Sequence, residues 1–318
     1  MRTFVASFAI LLAVLASSFA QAQDGPALRH KAQTGTKQYY SVTTSMKLAQ
    51  KVNGQNQSTT IESMQILERE VLEPDSKGNL VLRDHALHMT VKMNVGPLGK
   101  YEYDSKSTDN ETGSTLGDAL TPVYDAISGA YVDIVVSPQG EVISVKGLRE
   151  AVQGAIGENI IAAQFTAGMN SEEGEKLTYS EHFLRFPEKA LTPGANWEIP
   201  YDMQLGKLGK LSGKARHTYA GVESREGKQL HKITSTLDVS ADIDLKTGAI
   251  EVSGKVETDS SSSTAWFDAQ AGRLVSKTYE SSTTGDLVTV AGGMTIPIQQ
   301  DQTQKIVLKL LDGPPPTE

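Results

Sequence analysis

Tyr39-Tyr40-Ser41-Val42-Thr43-Thr44-Ser45-Met46-Lys47-Leu48 decides the fold. Tyr40, Val42, Thr44, Met46 and Leu48 alternate with Tyr39, Ser41, Thr43, Ser45 and Lys47, a period of two that puts one set on a buried face and the other in water. The next run, Thr59 to Val71, follows the turn-like Asn53-Gly54-Gln55-Asn56 and is read as a strand with a bulge. After Pro74-Asp75-Ser76-Lys77-Gly78 comes Leu80 to Val95, in which Leu87, Met89, Val91, Met93 and Val95 share one face. Three long strands joined by short turns predict an antiparallel meander.

Working outward, the period changes from two to about four. Leu116, Leu120, Val123, Tyr124 and Ile127 predict a helix over Leu116 to Ile127, in spite of Gly117 and Pro122. A hairpin is expected at Tyr131 to Val136 and Val142 to Val145, around Ser137-Pro138-Gln139-Gly140. From Leu148 onward, Val152, Ile156, Ile160 and Ala163 recur at steps of four and then three residues, which predicts one amphipathic helix. Ser171 before Glu172-Glu173 caps a further helix running to about Phe183, since acids suit the partial positive charge of a first turn. Strand patterns return after Pro193-Gly194: Trp197 to Met203, Ala215 to Val222, Leu230 to Val239, Ala241 to Leu245, Ile250 to Val256, Thr264 to Phe267, Arg273 to Tyr279 and Lys305 to Leu310. Val135 to Ser144 and Trp266 to Ser276 echo one another as strand, Gly-ended turn and strand.

Strands, helices, strands make an α+β fold. The expected architecture is a large curved, mainly antiparallel sheet, a half-barrel or two related sheets, with a helical insert at about residues 114–184 packed on its apolar face. One β-rich domain spans 38–310. Residues 23–37 read as a flexible leader and 311–318, with Pro314-Pro315-Pro316, as a disordered tail. Met1-Arg2, the apolar Phe4 to Leu15 and the small residues ending at Ala22 form a signal-peptide pattern, with cleavage expected after Ala22 and a periplasmic or extracellular destination. No later stretch reaches the roughly 18 apolar residues of a spanning helix.

The 318 residues carry 30 basic and 38 acidic side chains, a formal net charge of −8, and no Cys. A broad basic surface for nucleic acid is excluded, as are disulfide scaffolds, thiolate metal sites and cysteine nucleophiles. Walker-type, dinucleotide, Gly-x-Ser-x-Gly and His-Glu-x-x-His motifs are absent from the sequence. His85 and His88 stand three apart, which on a regular strand sends them to opposite faces. Asp242-Ile243-Asp244 before Gly248 has part of a calcium loop but fits strand alternation directly. Glu172, Glu173 and Glu175 read as helix-start acids, Trp197 and Trp266 as core anchors, and the Lys207 to Arg216 stretch as a solvated basic loop.

Tyr39-Tyr40-Ser41-Val42-Thr43, Ser137-Pro138-Gln139-Gly140-Glu141-Val142, Pro193-Gly194-Ala195-Asn196-Trp197 and Ala265-Trp266-Phe267-Asp268-Ala269-Gln270-Ala271-Gly272-Arg273-Leu274 occur in that order. Together they resemble a family of secreted bacterial proteins of unknown function, best represented in planctomycetes, over most of residues 38–310. The order of elements is similar to the half-barrel lipid carriers of the lipoprotein-localisation type. That resemblance implies a curved sheet wrapped around helices with an apolar pocket between them. The absence of a lipid-carrying Cys departs from many members of the group.

The expectation is a non-enzymatic secreted or periplasmic protein with no cofactor and no metal. It holds a hydrophobic small molecule, an acyl chain or lipid, in a pocket lined in part by Met89, Val91, Val152, Ile156 and Ile160. The alternative is an envelope structural or protein-interaction module with a filled core. A hydrolase using carboxylates ranks last.

Overall fold

The computed structural model describes residues 27–110, 112–169, 171–204, 209–247 and 250–315. The expected signal peptide, residues 1–22, lies outside them.

The strands are β1 (Lys37–Val52), β2 (Gln55–Val71), β3 (Leu80–Val95), β4 (Lys100–Asp104), β5 (Tyr131–Val136) and β6 (Val142–Lys146). They continue with β7 (Asn196–Gln204), β8 (Gly209–Arg225), β9 (Lys228–Thr247), β10 (Ile250–Asp268), β11 (Arg273–Ala291) and β12 (Met294–Leu311). The helices α1 (Thr115–Gly129), α2 (Leu148–Ile156), α3 (Ile160–Phe165) and α4 (Glu172–Ser180) all fall in the middle of the chain. One antiparallel sheet runs β6-β5-β3-β2-β1-β12-β11-β10-β9-β8-β7, with β4 beside β3. It is open, because β6 and β7 are free edges. Its centre is where β12 returns to pair with β1, so the two ends of the chain close the middle of the sheet.

Strand alternation survives almost intact. Tyr40, Val42, Thr44, Met46 and Leu48 share the inner face with Leu67, Gln65, Ser63, Ile61 and Thr59 of β2 and with Leu310, Leu308, Ile306, Gln304 and Gln302 of β12. The bulge expected in β2 is in β3 instead: Ala86 opposes Leu67 and His88 opposes Ile66, leaving Leu87 extra. This inverts the parity beyond it. Met89, Val91 and Met93 join Ala86 and Asp84 on the inner face, while His85 and His88 both face outward. The opposite-face reading of the two histidines is therefore corrected. His85 stacks on Tyr131 and His88 Nε2 meets Asp104 Oδ1 at 2.9 Å.

The short C-terminal runs expected from the sequence fuse into strands of 18 to 20 residues. The Ser-rich gap in β10 is bridged by hydroxyls: Ser261 Oγ donates to Leu237 O and Thr258 Oγ1 to Val239 O where the ladder with β9 is out of register. A hydroxyl can stand in for a backbone partner, so a run with no apolar period still stays in the sheet.

The helices cover only part of the inner face. Ser114 and Ser171 cap α1 and α4, accepting from the backbone N–H of Gly117 and Gly174. The single helix expected from Leu148 is broken: Gly157 takes a left-handed φ of 53° and Asn159 caps a new start. α2 is held at its N-terminus by Glu175, whose fully buried carboxylate accepts from Arg149 N–H at 2.7 Å.

Two irregular segments complete the cover. The segment after α4 inserts Leu184, Phe186 and Leu191 into one cluster with Tyr40, Leu67, Tyr219, Ile233, Ala265, Phe267 and Leu308. Residues from β2 and from β8 meet in this cluster although five strands lie between their places in the sheet, which requires the sheet to wrap. The expected flexible leader also joins the core from residue 27. Leu28 is 1% exposed, and His30 packs against Phe183, Phe186 and Phe267 while its Nε2–H donates to Leu184 O. Backbone bonds from His30 to Pro138 O and from Lys31 to Gly272 O tie this segment to the turns of the two echoing hairpins.

Beneath the cover lies a buried ion pair. Arg69 donates through Nε and Nη2 to both oxygens of Asp84 at 2.8 and 2.7 Å, sandwiched by the rings of Tyr40 and Phe183. Its bidentate geometry offsets the cost of desolvating both charges, and losing one partner would strand the other.

Candidate functional site

Length decides where a site can be. β9 has 20 residues and spans about 65 Å at ~3.3 Å per residue, whereas α1, the longest helix among the described residues with 15, spans about 22 Å at ~1.5 Å per residue. The helices cannot shield the strands from end to end.

The covered half is filled. Val71, Leu82, Ile134, Val136, Val152 and Phe183 form one cluster under α2 and α4; Met89, Val91, Met93, Tyr101, Leu116 and Leu120 form another under α1. The pocket residues expected from the sequence are divided by this packing. Met89 and Val91 sit in the second cluster, Val152 is buried in the first, Ile156 packs against its side, and Ile160 is 67% exposed. The break at Gly157 explains Ile160: it turns the restarted helix away from the face that carries Val152. Packing thus divides the five between two clusters and the surface.

The inner face continues past the cover toward the β7–β8, β9–β10, β11–β12 and β1–β2 turns. Leu237, Val239, Ala241, Ile243 and Leu245 of β9 point inward and are half-buried, while Thr236, Asp238, Asp242 and Asp244 point out and are exposed. In register beside them stand Leu211 of β8, Ile199, Tyr201 and Met203 of β7, and Val252 and Val256 of β10. Leu287 and Ile298 continue the row across β11 and β12. Among the described residues the Ser180–Arg185 segment reaches this surface at Ile199, Tyr201 and Leu237, and the helices pack on β3, β4 and β6 instead of on the stretch beyond. From Ser235 to Leu245 it runs about 30 Å, and amphipathic strands of this kind normally bury their apolar side against a second layer.

The mouth of this trough is a depression of about 60 Å³ where the cover ends, lined by Phe183, Leu184, Tyr201, His217, Leu237 and Tyr279. Its polar groups are satisfied internally. Lys277 Nζ donates to the carbonyl and carboxylate of Glu181, and His217 Nδ1 meets Ser235 Oγ at 2.6 Å while its ring stacks on Trp197. Burial works to raise the Glu181 carboxyl, but the Lys277 ammonium overrides it and holds the group below the usual carboxylate range. Burial lowers His217 to about 4, with Lys277 adding to the effect. A neutral imidazole that titrates there is a poor base at neutral pH, so the Ser235–His217 pair reads as a hydrogen bond before an activated hydroxyl.

Other candidates resolve into structure. Glu172 pairs with Lys176, and Glu175 holds α2. The described cations of the basic stretch are taken up in pairs: Lys210 with Asp202, Lys214 with Glu198, Arg216 with Glu198 and Asp238. Among the described residues no three His, Asp or Glu side chains are grouped to hold a metal. A wider hollow of about 450 Å³ is lined by Ser45, Lys47, Ser262, Glu280, Thr303 and Lys305, groups that water satisfies, so it creates no demand for a ligand.

The sequence reading recognised the β9 residues as strand and missed them as a site. The available signal was the strand length itself, greater than the helical insert can cover.

A family model described as a family of unknown function (DUF6263) matches residues 78–303. No curated protein matches. Among solved structures, a chain of lipovitellin, titled for its lipid–protein interactions, is similar at 10% identity with a TM-score of 0.43; the match covers 91% of this chain and 26%, about a quarter, of that one. A Bacteroides fragilis protein with a YmcC-like fold is similar at 8% identity and TM-score 0.23, covering 90% of this chain and 100% of that one. An outer membrane channel from Pseudomonas putida F1 is similar at 6% identity and TM-score 0.24, covering 90% and 99%.

Proposed function

This chain belongs to the DUF6263 family of unknown function, and from that premise we propose that it is a non-enzymatic secreted or periplasmic protein that holds an acyl chain along the uncovered half of its inner face. The observation that carries the proposal is the persistence of strict alternation past the cover. Leu237, Val239, Ile243, Tyr201, Leu211 and Val256 keep an apolar surface in register for about 30 Å, twice the ~15 Å taken by one acyl leaflet of a bilayer. Burying such a surface contributes roughly 25 cal/mol per Å² removed from water, and an acyl chain can follow its length. Secretion rests on the N-terminal pattern of Arg2, the apolar Phe4 to Leu15 and Ala22.

Native mass spectrometry after gentle purification, followed by titration with a fluorescent fatty acid, tests this. The protein is expected to carry or take up one acyl ligand, and Leu237→Asp with Ile243→Asp to weaken uptake at least tenfold while the outward Asp242→Asn leaves it unchanged. A protein that is empty and ignores the probe over a broad range of concentration overturns the reading.

The filled space under the helices favours a second occupant of the same face, an envelope protein. Crosslinking in intact cells that captures one partner through the trough, with no acyl uptake, would replace the first reading by this one.

A further inference from the structure

The turns that end the uncovered strands all lie at one end of the sheet. β1 ends and β2 starts at Asn53-Gly54, β3 passes to β4 through Gly96–Gly99, and β11 passes to β12 through Gly292-Gly293. Among the described residues, four of the eight large apolar side chains that stand exposed are gathered there: Leu98 at 45%, Val288, Val290, and Met294 at 65%.

The β11–β12 tip differs from every other part of the sheet. From Leu287 to Ile298 the sequence has no charged residue. Leu287, Ala291, Met294, Ile296 and Ile298 share the inner parity with Thr289, and Val288, Val290 and Pro297 share the outer one with Thr295, so this hairpin is uncharged and mainly apolar on both sides. It also projects on one side: β12 pairs with β1 only as far as Val52 opposite Ile298, leaving Met294 to Pro297 about 13 Å beyond the β1–β2 turn, while β11 stays paired with β10 out to Ala291 opposite Ile250.

We propose that this end of the sheet docks on a lipid bilayer surface, with the Leu287–Ile298 hairpin as the element that enters the headgroup layer. A protein partner laid against a sheet covers one face; a tip that is mainly apolar on both sides is satisfied only by a medium that surrounds it. Lipid does so. Interfacial elements bury their apolar part about 5–10 Å deep, a depth that keeps Asp286 and Asp301 out and brings Glu251 and Lys246, cross-strand neighbours level with Val290, to the charged headgroups. Lys51 and Lys100, beside the two neighbouring turns, place cations where phosphate headgroups would lie, and their long stems can reach along the surface. The uncovered apolar strip of the inner face begins at this end, so docking would bring it to the source of an acyl chain. The docking stands on the hairpin alone and holds whether or not the trough takes a ligand.

The chain has no Cys, which makes a site-specific test simple. Met294→Cys carries an environment-sensitive nitrobenzoxadiazole probe, and Lys228→Cys, beside the β8–β9 turn at the opposite end, carries the same probe as the reference. With the full-length exported protein and vesicles of mixed phosphatidylethanolamine and phosphatidylglycerol, the Met294→Cys probe is expected to shift to the blue and the Lys228→Cys probe to stay unchanged. Val288→Asp with Val290→Asp is expected to weaken vesicle binding at least tenfold with the circular dichroism spectrum intact. No shift, equal shifts at both ends, or a shift that grows with protein concentration before vesicles are added overturns the proposal, the last indicating self-association of the tips.

Discussion

His30 shows how much a single side chain can be asked to hold. It is 5% exposed, ringed by Phe183, Phe186 and Phe267, and burial lowers its pKa to about 4; His182 and His217 are lowered to about 4 for the same first reason. Above about pH 6.5 these rings are neutral in folded and unfolded chains alike. Between about 6.5 and 4 the unfolded chain takes up protons that the folded chain refuses, so stability falls as pH falls, for His30 by up to ~1.4 kcal/mol per pH unit. Urea midpoints at pH 7 and pH 5 should show a clear drop, and His30→Gln should lessen it, the rest being the share of His182 and His217. A midpoint that does not move between those pH values contradicts this assignment. Of the residue-level readings, the parity of His85 and His88 was not legible, because a one-residue bulge at Leu87 leaves no mark in composition yet inverts which face follows.

At the scale of elements, the two echoing hairpins have a shared task. Their turn glycines, Gly140 at φ 89° and Gly272 at φ 68°, each lie against another part of the chain: a Cβ on Gly140 would stand 2.0 Å from Leu184 O, and one on Gly272 would stand 2.1 Å from Lys31 Cγ. The close approach lets residues 28–31 thread between the turns and bond to both. Gly140→Ala and Gly272→Ala are each expected to cost about 2–4 kcal/mol in urea denaturation, through strain and displacement of the cover. Gly227→Ala, also at positive φ but with open space around it, isolates the backbone term and should cost only ~1–2 kcal/mol. Equal losses at all three would show that the threading segment is not held by these contacts. The threading segment and the Phe183 to Leu191 crossing escaped sequence reading because neither has a period; they are held by turns and rings distant in the chain. Every strand but the five-residue β4 and three of the four helix starts were legible, since alternation, helical spacing and the Ser171 cap act locally.

For the whole molecule, the long sheet has two unequal halves. Around Ile233, Ala265 and Phe267 the strands carry a filled core, whereas toward Leu245, Leu287 and Ile298 they are held by their ladder alone. Opening free energy follows buried apolar contact, so hydrogen exchange should be faster at residues 241–247 and 285–291 than at 231–235. An acyl ligand is expected to slow the first two and leave the third unchanged. Uniform protection along β9 without ligand would mean that the outer half is stabilised by something other than a missing layer.

The sequence by itself determined that the chain is an antiparallel sheet with a helical insert, because a period of two and a period near four are properties of neighbouring residues. Only the tertiary structure decided that the insert is too short for the strands, that the space beneath it is filled, and that the unshielded apolar surface lies beyond it. Those are questions of reach and volume, set by where distant segments meet, and no local pattern encodes them.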